Sequence, residues 1–268
     1  MTLVGTWLSA AKDLDKLERE LLIAHILGIT RTQLLIREDQ ELTETQIRSL
    51  ETSAALLRRG MPFAYVIGSQ EFWSMEFKVT PDVLIPRPET ELLVELACAQ
   101  APTDADVLDL GTGSGAIAIS IADERPDLNL TATDKSKAAL AIAEFNNIRH
   151  NTKVRFLHSD WFSDLKGTTY DIIVCNPPYI ADRDPHLSEL AWEPTAALVS
   201  GDGLDDIRKI VAQARKHLLP QGKVFIEHGY DQAKQVQFLL QTAGFQSVQS
   251  HADLAGILRV TSAQRIDS

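Results

Sequence analysis

The sequence is poor in cysteine, in concentrated positive charge and in long apolar runs, and each shortage excludes a class of protein. Two cysteines, Cys98 and Cys175, stand without metal-ligand spacing and indicate neither a disulfide framework nor a metal site, which suits a reducing cytosol. Cys175 ends an apolar run and reads as small buried filler rather than as a nucleophile. No run of about 18 apolar residues exists, so no membrane span is expected. The first sixteen residues lack the basic start and long apolar core of a signal peptide, and a cytoplasmic location is expected. The net charge of −11 argues against a protein that wraps nucleic acid through phosphate contacts, which need many lysines and arginines on one surface. The pair Arg58-Arg59 reads as a solvated helix end. No nucleic-acid partner, no metal and no oligomer beyond a monomer are expected.

The 268 residues, 44% of them hydrophobic, suffice for one large domain or two smaller ones with a full core. Residues 1–60 read as a small all-helical domain. Leu14, Leu17, Leu21, Leu22 and His25 recur at helical spacing, with Gly28 as a C-terminal stop. Thr43 and Gln46 form a capping box ahead of the stripe Ile47, Leu50, Ala54 and Leu57. Residues 61–88 are broken by glycine and proline. Within them, Phe72-Trp73 and Phe77–Thr80 suggest a β-hairpin linker. Glu89–Ala99 reads as a helix.

From residue 105 strand and helix patterns alternate. Strands are expected at 105–110, 128–133, 154–157, 171–175 and 223–227, with helices through 121 and over 137–147, 204–218 and 232–242. Two last strands near 246–250 and 256–261 close the set. The alternation predicts an α/β fold, a mostly parallel Rossmann-like sheet with helices on both faces, over 89–268.

Asp109-Leu110-Gly111-Thr112-Gly113-Ser114-Gly115 joins the first strand to a helix, and Asp134 ends the second strand. Glycines there permit a tight turn and close ligand approach, and an acid at the second strand end can accept from ribose hydroxyls. These features alone do not choose a cofactor, because Gly111, Gly113 and Ala116 also satisfy the dinucleotide fingerprint. Two details favour S-adenosylmethionine. Asp109 brings negative charge that suits an ammonium and a sulfonium and repels a pyrophosphate, and Gly-x-Gly-x-Gly is the spacing of methyltransferase loops. Asp160 and Trp161 follow the third strand, as an acceptor for an adenine amino group and a stacking wall.

The fourth strand runs into Asn176-Pro177-Pro178-Tyr179. An amide or aromatic NH2 nitrogen is a poor nucleophile because its lone pair is delocalised. The Asn176 side-chain oxygen and the Pro177 carbonyl can each accept one of its N–H groups, the prolines stiffen the backbone, and Tyr179 offers a flat wall. Asn176, Pro177 and Tyr179 are therefore the expected catalytic residues, and Asn176 to Tyr179 the substrate contacts. Expected cofactor contacts are Asp109, Gly111 to Gly115, Asp134, Asp160, Trp161 and Asn176. A methyl would pass in line, with proton loss to solvent.

Asn176 to Tyr179 with the 107–115 loop is the pattern of class I amino-methyltransferases. Pro62-x-x-Tyr65-x-x-Gly68-x-x-Glu71-Phe72, the stretch Phe77 to Glu91 containing Pro86-Arg87-Pro88-Glu89-Thr90-Glu91, then Glu193-Pro194 and Glu227-x-Gly229, resemble the PrmC/HemK family over nearly the whole chain. The resemblance implies methylation, from S-adenosylmethionine, of the glutamine amide nitrogen in the Gly-Gly-Gln loop of peptide chain release factors. It also implies that the helical N-terminal domain docks the partner. Arg87 and Glu89 receive no chemical step, and an ion pair bracing the linker is an equal reading. The rival is an adenine amino-methyltransferase of RNA or DNA, which would stack its base on Tyr179.

Overall fold

The computed structural model describes residues 2–266. The chain divides after Ser69 into two compact units. The first is built from helices Val4–Ala10, Lys16–Leu27, Arg31–Leu34, Glu44–Arg58 and Phe63–Ile67. Thr43 and Gln46 make the expected box, Thr43 Oγ1 accepting from Gln46 N at 3.2 Å and Gln46 Oε1 from Thr43 N at 2.9 Å. Leu50, Ala54 and Leu57 bury one stripe, and Gly28 ends its helix in the left-handed region. The second helix starts at Lys16 because Asp15 caps it, accepting from Leu17 N at 2.7 Å. Leu17 therefore sits in the first turn, 48% exposed, and the helix buries Leu22, Ile23 and Ala24 instead. The unit is not purely helical, since Thr2–Leu3 pairs with Glu41–Leu42. Two residues are too few to show a period-2 pattern.

A hairpin follows in the chain, Ser69–Phe72 with Met75–Lys78. Its turn residues Trp73 and Ser74 take φ of 52° and 57°. Two-residue hairpin turns demand positive φ and usually advertise it with Asn-Gly. Here the signal is absent, which is why the strands fall a few residues earlier than the pattern suggests.

The second unit is a seven-stranded sheet: β1 Asp106–Leu110, β2 Asn129–Asp134, β3 Arg155–His158, β4 Tyr170–Cys175, β5 Leu218–Glu227, β6 Gln246–Ala252 and β7 Leu258–Gln264, in the order β6-β7-β5-β4-β1-β2-β3. β3, β2, β1, β4 and β5 run parallel, and β7 and β6 add antiparallel. Alternate residues feed two cores, as a two-sided sheet requires. Val107, Ile172, Val174 and Phe225 pack toward helices α1 Glu91–Gln100 and α2 Ala116–Glu124. Leu108, Leu110, Ile173 and Ile226 pack toward α4 Asp205–Ala214 and α5 Ala233–Thr242, while α3 Lys137–Arg149 follows β2. One expectation fails at 215–218. The helix stops at Ala214, one 3-10 turn follows, and fully buried Leu218 already begins β5.

Candidate functional site

β1 lies between β4 and β2, so the winding of the sheet reverses beside it, and such a reversal opens a crevice at the carboxyl ends of the strands. Leu110 and Cys175 are paired in register. Gly111 and Asn176, each the next residue, therefore leave the sheet side by side. A cavity opens there, continuous with solvent at its mouth. Gly111, Gly113, Asp134, Asp160, Trp161, Asn176 and Pro178 line it, with Leu84, Pro194 and Ala197 on further walls.

The loop's shape follows from its hydrogen bonds. Gly111 N and Thr112 N both donate to Thr133 O at 2.9 Å, and Gly113 N donates to Asp134 Oδ2 at 2.9 Å. Asp134 Oδ1 also accepts from Ser136 N at 2.8 Å, so its carboxylate is fixed at the cavity wall. Gly115 packs α2 against α3: a Cβ there would come 2.7 Å from Ile119 Cδ1 and 3.2 Å from Ala143 Cβ.

Asp109 departs from expectation. It shares a strand face with Val107 and so turns toward α2 instead of the crevice. It is fully buried, does not line the cavity, and accepts from Thr112 Oγ1 at 2.6 Å. Burial, with the nearby Asp134 charge adding to it, pushes its carboxyl up to about 7. Asp109 therefore braces the loop rather than presenting charge to a ligand. Thr112, Ser114, Gly115 and Tyr179 likewise lie off the lining, and Pro177 adjoins it between the lining residues Asn176 and Pro178.

Trp161 lies against Gly111, where a Cβ would come 3.2 Å from the indole ring. Its Nε1 donates to Asp206 Oδ1 at 3.3 Å, and Asp206 also accepts from Ser200 Oγ and Lys209 Nζ, both at 2.8 Å. Asp206 comes from α4, 45 residues away, and nothing local in the sequence announces it.

Asn176 Nδ2 donates to the hydroxyl of Thr90 at 3.1 Å, and its Oδ1 has no protein donor among the described residues. Thr90 neighbours the fully buried carboxyl of Glu227, which also accepts from Tyr179 Oη at 3.4 Å. Burial pushes Glu227 up to about 7, opposed by Thr90 and Tyr179 and reinforced by Glu89; burial also raises the Tyr179 phenol. Arg87 forms an ion pair with Glu193, whose Oε2 accepts from Ile85 N at 3.2 Å. This pair ties the segment carrying Leu84 to the one carrying Pro194, so Arg87 braces two cavity walls.

The wall chemistry selects among ligands. Asp82, Asp134 and Asp160 face the cavity against one cation, Lys135. Such a surface suits a ligand carrying a sulfonium and an ammonium and disfavours a pyrophosphate. Fold and site together define a Rossmann-like methyltransferase domain. Residues 88–253 match the family Methyltransferase small domain. A methyltransferase from Pyrococcus furiosus, 17% identical, shares the fold at a TM-score of 0.57 over 84% of this chain and all of its own.

The first unit narrows the class, since residues 7–68 match the PrmC N-terminal domain. The release factor glutamine methyltransferase of Coxiella burnetii is 43% identical over 98% of this chain and 96% of its own length. That of Pseudomonas aeruginosa is 49% identical over 93% and 92%. The chain belongs to the release factor glutamine methyltransferase family. No helix among the described residues is long and apolar enough to cross a membrane.

Proposed function

We propose that this chain transfers a methyl group from S-adenosylmethionine to the side-chain amide nitrogen of the glutamine in the Gly-Gly-Gln loop of peptide chain release factors. The observation that carries the reading is the polarity of Asn176, whose NH2 is committed to Thr90 while its Oδ1 stays open beside the glycine loop. An acceptor in that position takes one N–H of a planar NH2, and the Pro177 carbonyl takes the other. Both bonds raise electron density on nitrogen and fix its approach. Pro178 and Tyr179 stiffen and flank the same turn. S-adenosylmethionine supplies an electrophilic methyl on sulfur for in-line displacement. Gly111, Gly113, Asp134, Asp160, Trp161 and Asn176 hold it, and Asp109, Thr112, Ser114 and Gly115 shape the loop from behind. The substrate nitrogen loses its proton to solvent, since no base stands in the tetrapeptide.

The first unit docks the release factor, the enzyme works as a cytoplasmic monomer, and the acidic chain does not engage nucleic acid. Tritium transfer from labelled S-adenosylmethionine to purified release factor, set against total RNA and DNA, tests the reading. Label is expected in the protein. Label in nucleic acid but not in release factor would favour the adenine methyltransferase instead.

A further inference from the structure

Given that reading, we propose that Glu227 and Thr90 are positioning residues that fix which end of the Asn176 amide faces the substrate. A primary amide can turn either its oxygen or its NH2 outward, and the two orientations are nearly isosteric. Only the oxygen-outward one receives an N–H from a glutamine side chain. The other sets donors against donors, so the orientation must be enforced.

The means lies beneath the tetrapeptide. Cys175 and Ile226 are paired in register, so Asn176 and Glu227 stand side by side where β4 and β5 end. Thr90, just before α1, is 4% exposed and accepts from Asn176 Nδ2 at 3.1 Å. A threonine hydroxyl has one proton and two lone pairs. Were that proton aimed at Asn176, the amide would flip to offer its oxygen to Thr90, and its NH2 would face the cavity.

Glu227 prevents this. Its carboxyl neighbours Thr90, and its Oε2 is buried with no hydrogen-bond partner among the described residues. The field of that carboxylate turns the Thr90 proton toward itself and leaves a lone pair for Asn176. Tyr179 Oη donates to the other oxygen, Oε1, at 3.4 Å. One carboxyl thus governs both ends of the tetrapeptide. Glu227 is fully buried and is not part of the cavity wall. Its effect passes through Thr90 and Tyr179.

The test compares Thr90→Val, Thr90→Ser, Glu227→Gln and Asn176→Ala in the full-length chain. The readouts are kcat and KM for methylation of release factor, affinity for S-adenosylhomocysteine by calorimetry, and thermal stability. Thr90→Val should lower kcat about 100-fold, the scale of losing one preorganised polar contact at a reacting centre. Cofactor-product affinity should stay within about threefold of wild type, and Thr90→Ser should restore most of the turnover, because its hydroxyl accepts and donates alike. Glu227→Gln should fall between, since an amide at 227 permits both orientations of the Thr90 proton. Full turnover in Thr90→Val, with Asn176→Ala inactive, would overturn the positioning role and leave the assigned reaction standing. Equal loss in Thr90→Ser and Thr90→Val would also overturn it. Absence of methyl transfer by the wild type would instead strike the functional reading itself.

Discussion

Glu227→Gln should stabilise the protein at alkaline pH while slowing it. The Glu227 carboxyl is fully buried and its pKa is raised from 4.5 to about 7, chiefly by desolvation. One pKa unit corresponds to about 1.4 kcal/mol, so the ionised carboxyl costs about 3 kcal/mol of folding free energy. The sign follows from the raised value. Below pH 4.5 the group is protonated in folded and unfolded chains alike, and no penalty exists. Between 4.5 and about 7 the unfolded chain ionises while the fold holds the proton, and stability drains away. Above about 7 the penalty is complete. A neutral Gln avoids it and gives up about 1 kcal/mol of hydrogen bonding from Tyr179 and Thr90, leaving a net gain of about 2 kcal/mol at pH 8. Urea unfolding of wild type and variant without cofactor, at pH 8 and pH 4.5, is the assay. Asp109 titrates in the same range, but it is present in both proteins and cancels in the difference. The variant should be more stable at pH 8 and equal or slightly weaker at pH 4.5. A difference that does not change with pH would refute the argument, because it would mean that the carboxyl is already ionised without penalty.

Three other perturbations reach different parts of the site. Gly115→Ala introduces a Cβ at a φ of +84°, 2.7 Å from Ile119 Cδ1. It should cost about 2–4 kcal/mol from left-handed strain and overpacking, read by denaturant midpoint. Asp134→Ala strips the acceptor from Gly113 N and Ser136 N and removes a wall carboxylate. Calorimetry should show cofactor binding about 10–100-fold weaker, and unchanged affinity would discredit a ribose-binding role for Asp134. Arg87→Ala leaves Glu193, 2% exposed at its side chain, without its cation. Thermal unfolding should report a loss of about 3 kcal/mol, the scale of an uncompensated buried charge, and an unchanged melting temperature would refute a bracing role for the pair.

What could be read directly from the sequence was local. The run Ile172–Cys175 is apolar on both faces, and Val107–Leu110 is so but for Asp109, the mark of strands covered on both sides, and they emerge as the central pair β1 and β4. The Thr43–Gln46 box is complete within four residues and forms as expected. The glycine loop and Asn176 to Tyr179 lie directly after those strands, so knowing the strands places them. What escaped depended on partners distant in sequence or on conformations that residue type does not advertise. The Trp73-Ser74 turn holds two bulky or polar residues at positive φ, where pattern expects Gly or Asn. Asp109 is legible in position, and its parity with Val107 on the strand directs it toward the helix face.

The acceptor site shows where this boundary falls. That an asparagine and two prolines can hold a planar NH2 follows from the tetrapeptide alone. That the asparagine turns its oxygen outward does not, because the same four residues accommodate either orientation. Its direction comes from Thr90, 86 residues earlier, and from a carboxylate at the end of the adjoining strand. Under the positioning role proposed for Glu227, the parallel pairing of β4 with β5 is therefore part of the chemistry. A shift of one residue would move Glu227 from the level of Asn176 to that of its neighbour and reverse the face on which its side chain projects. Holding that ionised carboxyl in the core costs stability above pH 7, and a neutral residue there would fold better but leave the amide free to turn. A protein retaining such a destabilised group beside its reacting atoms is expected to owe it turnover, and the opposing responses of stability and rate in Glu227→Gln are the signature that distinguishes this from a packing defect.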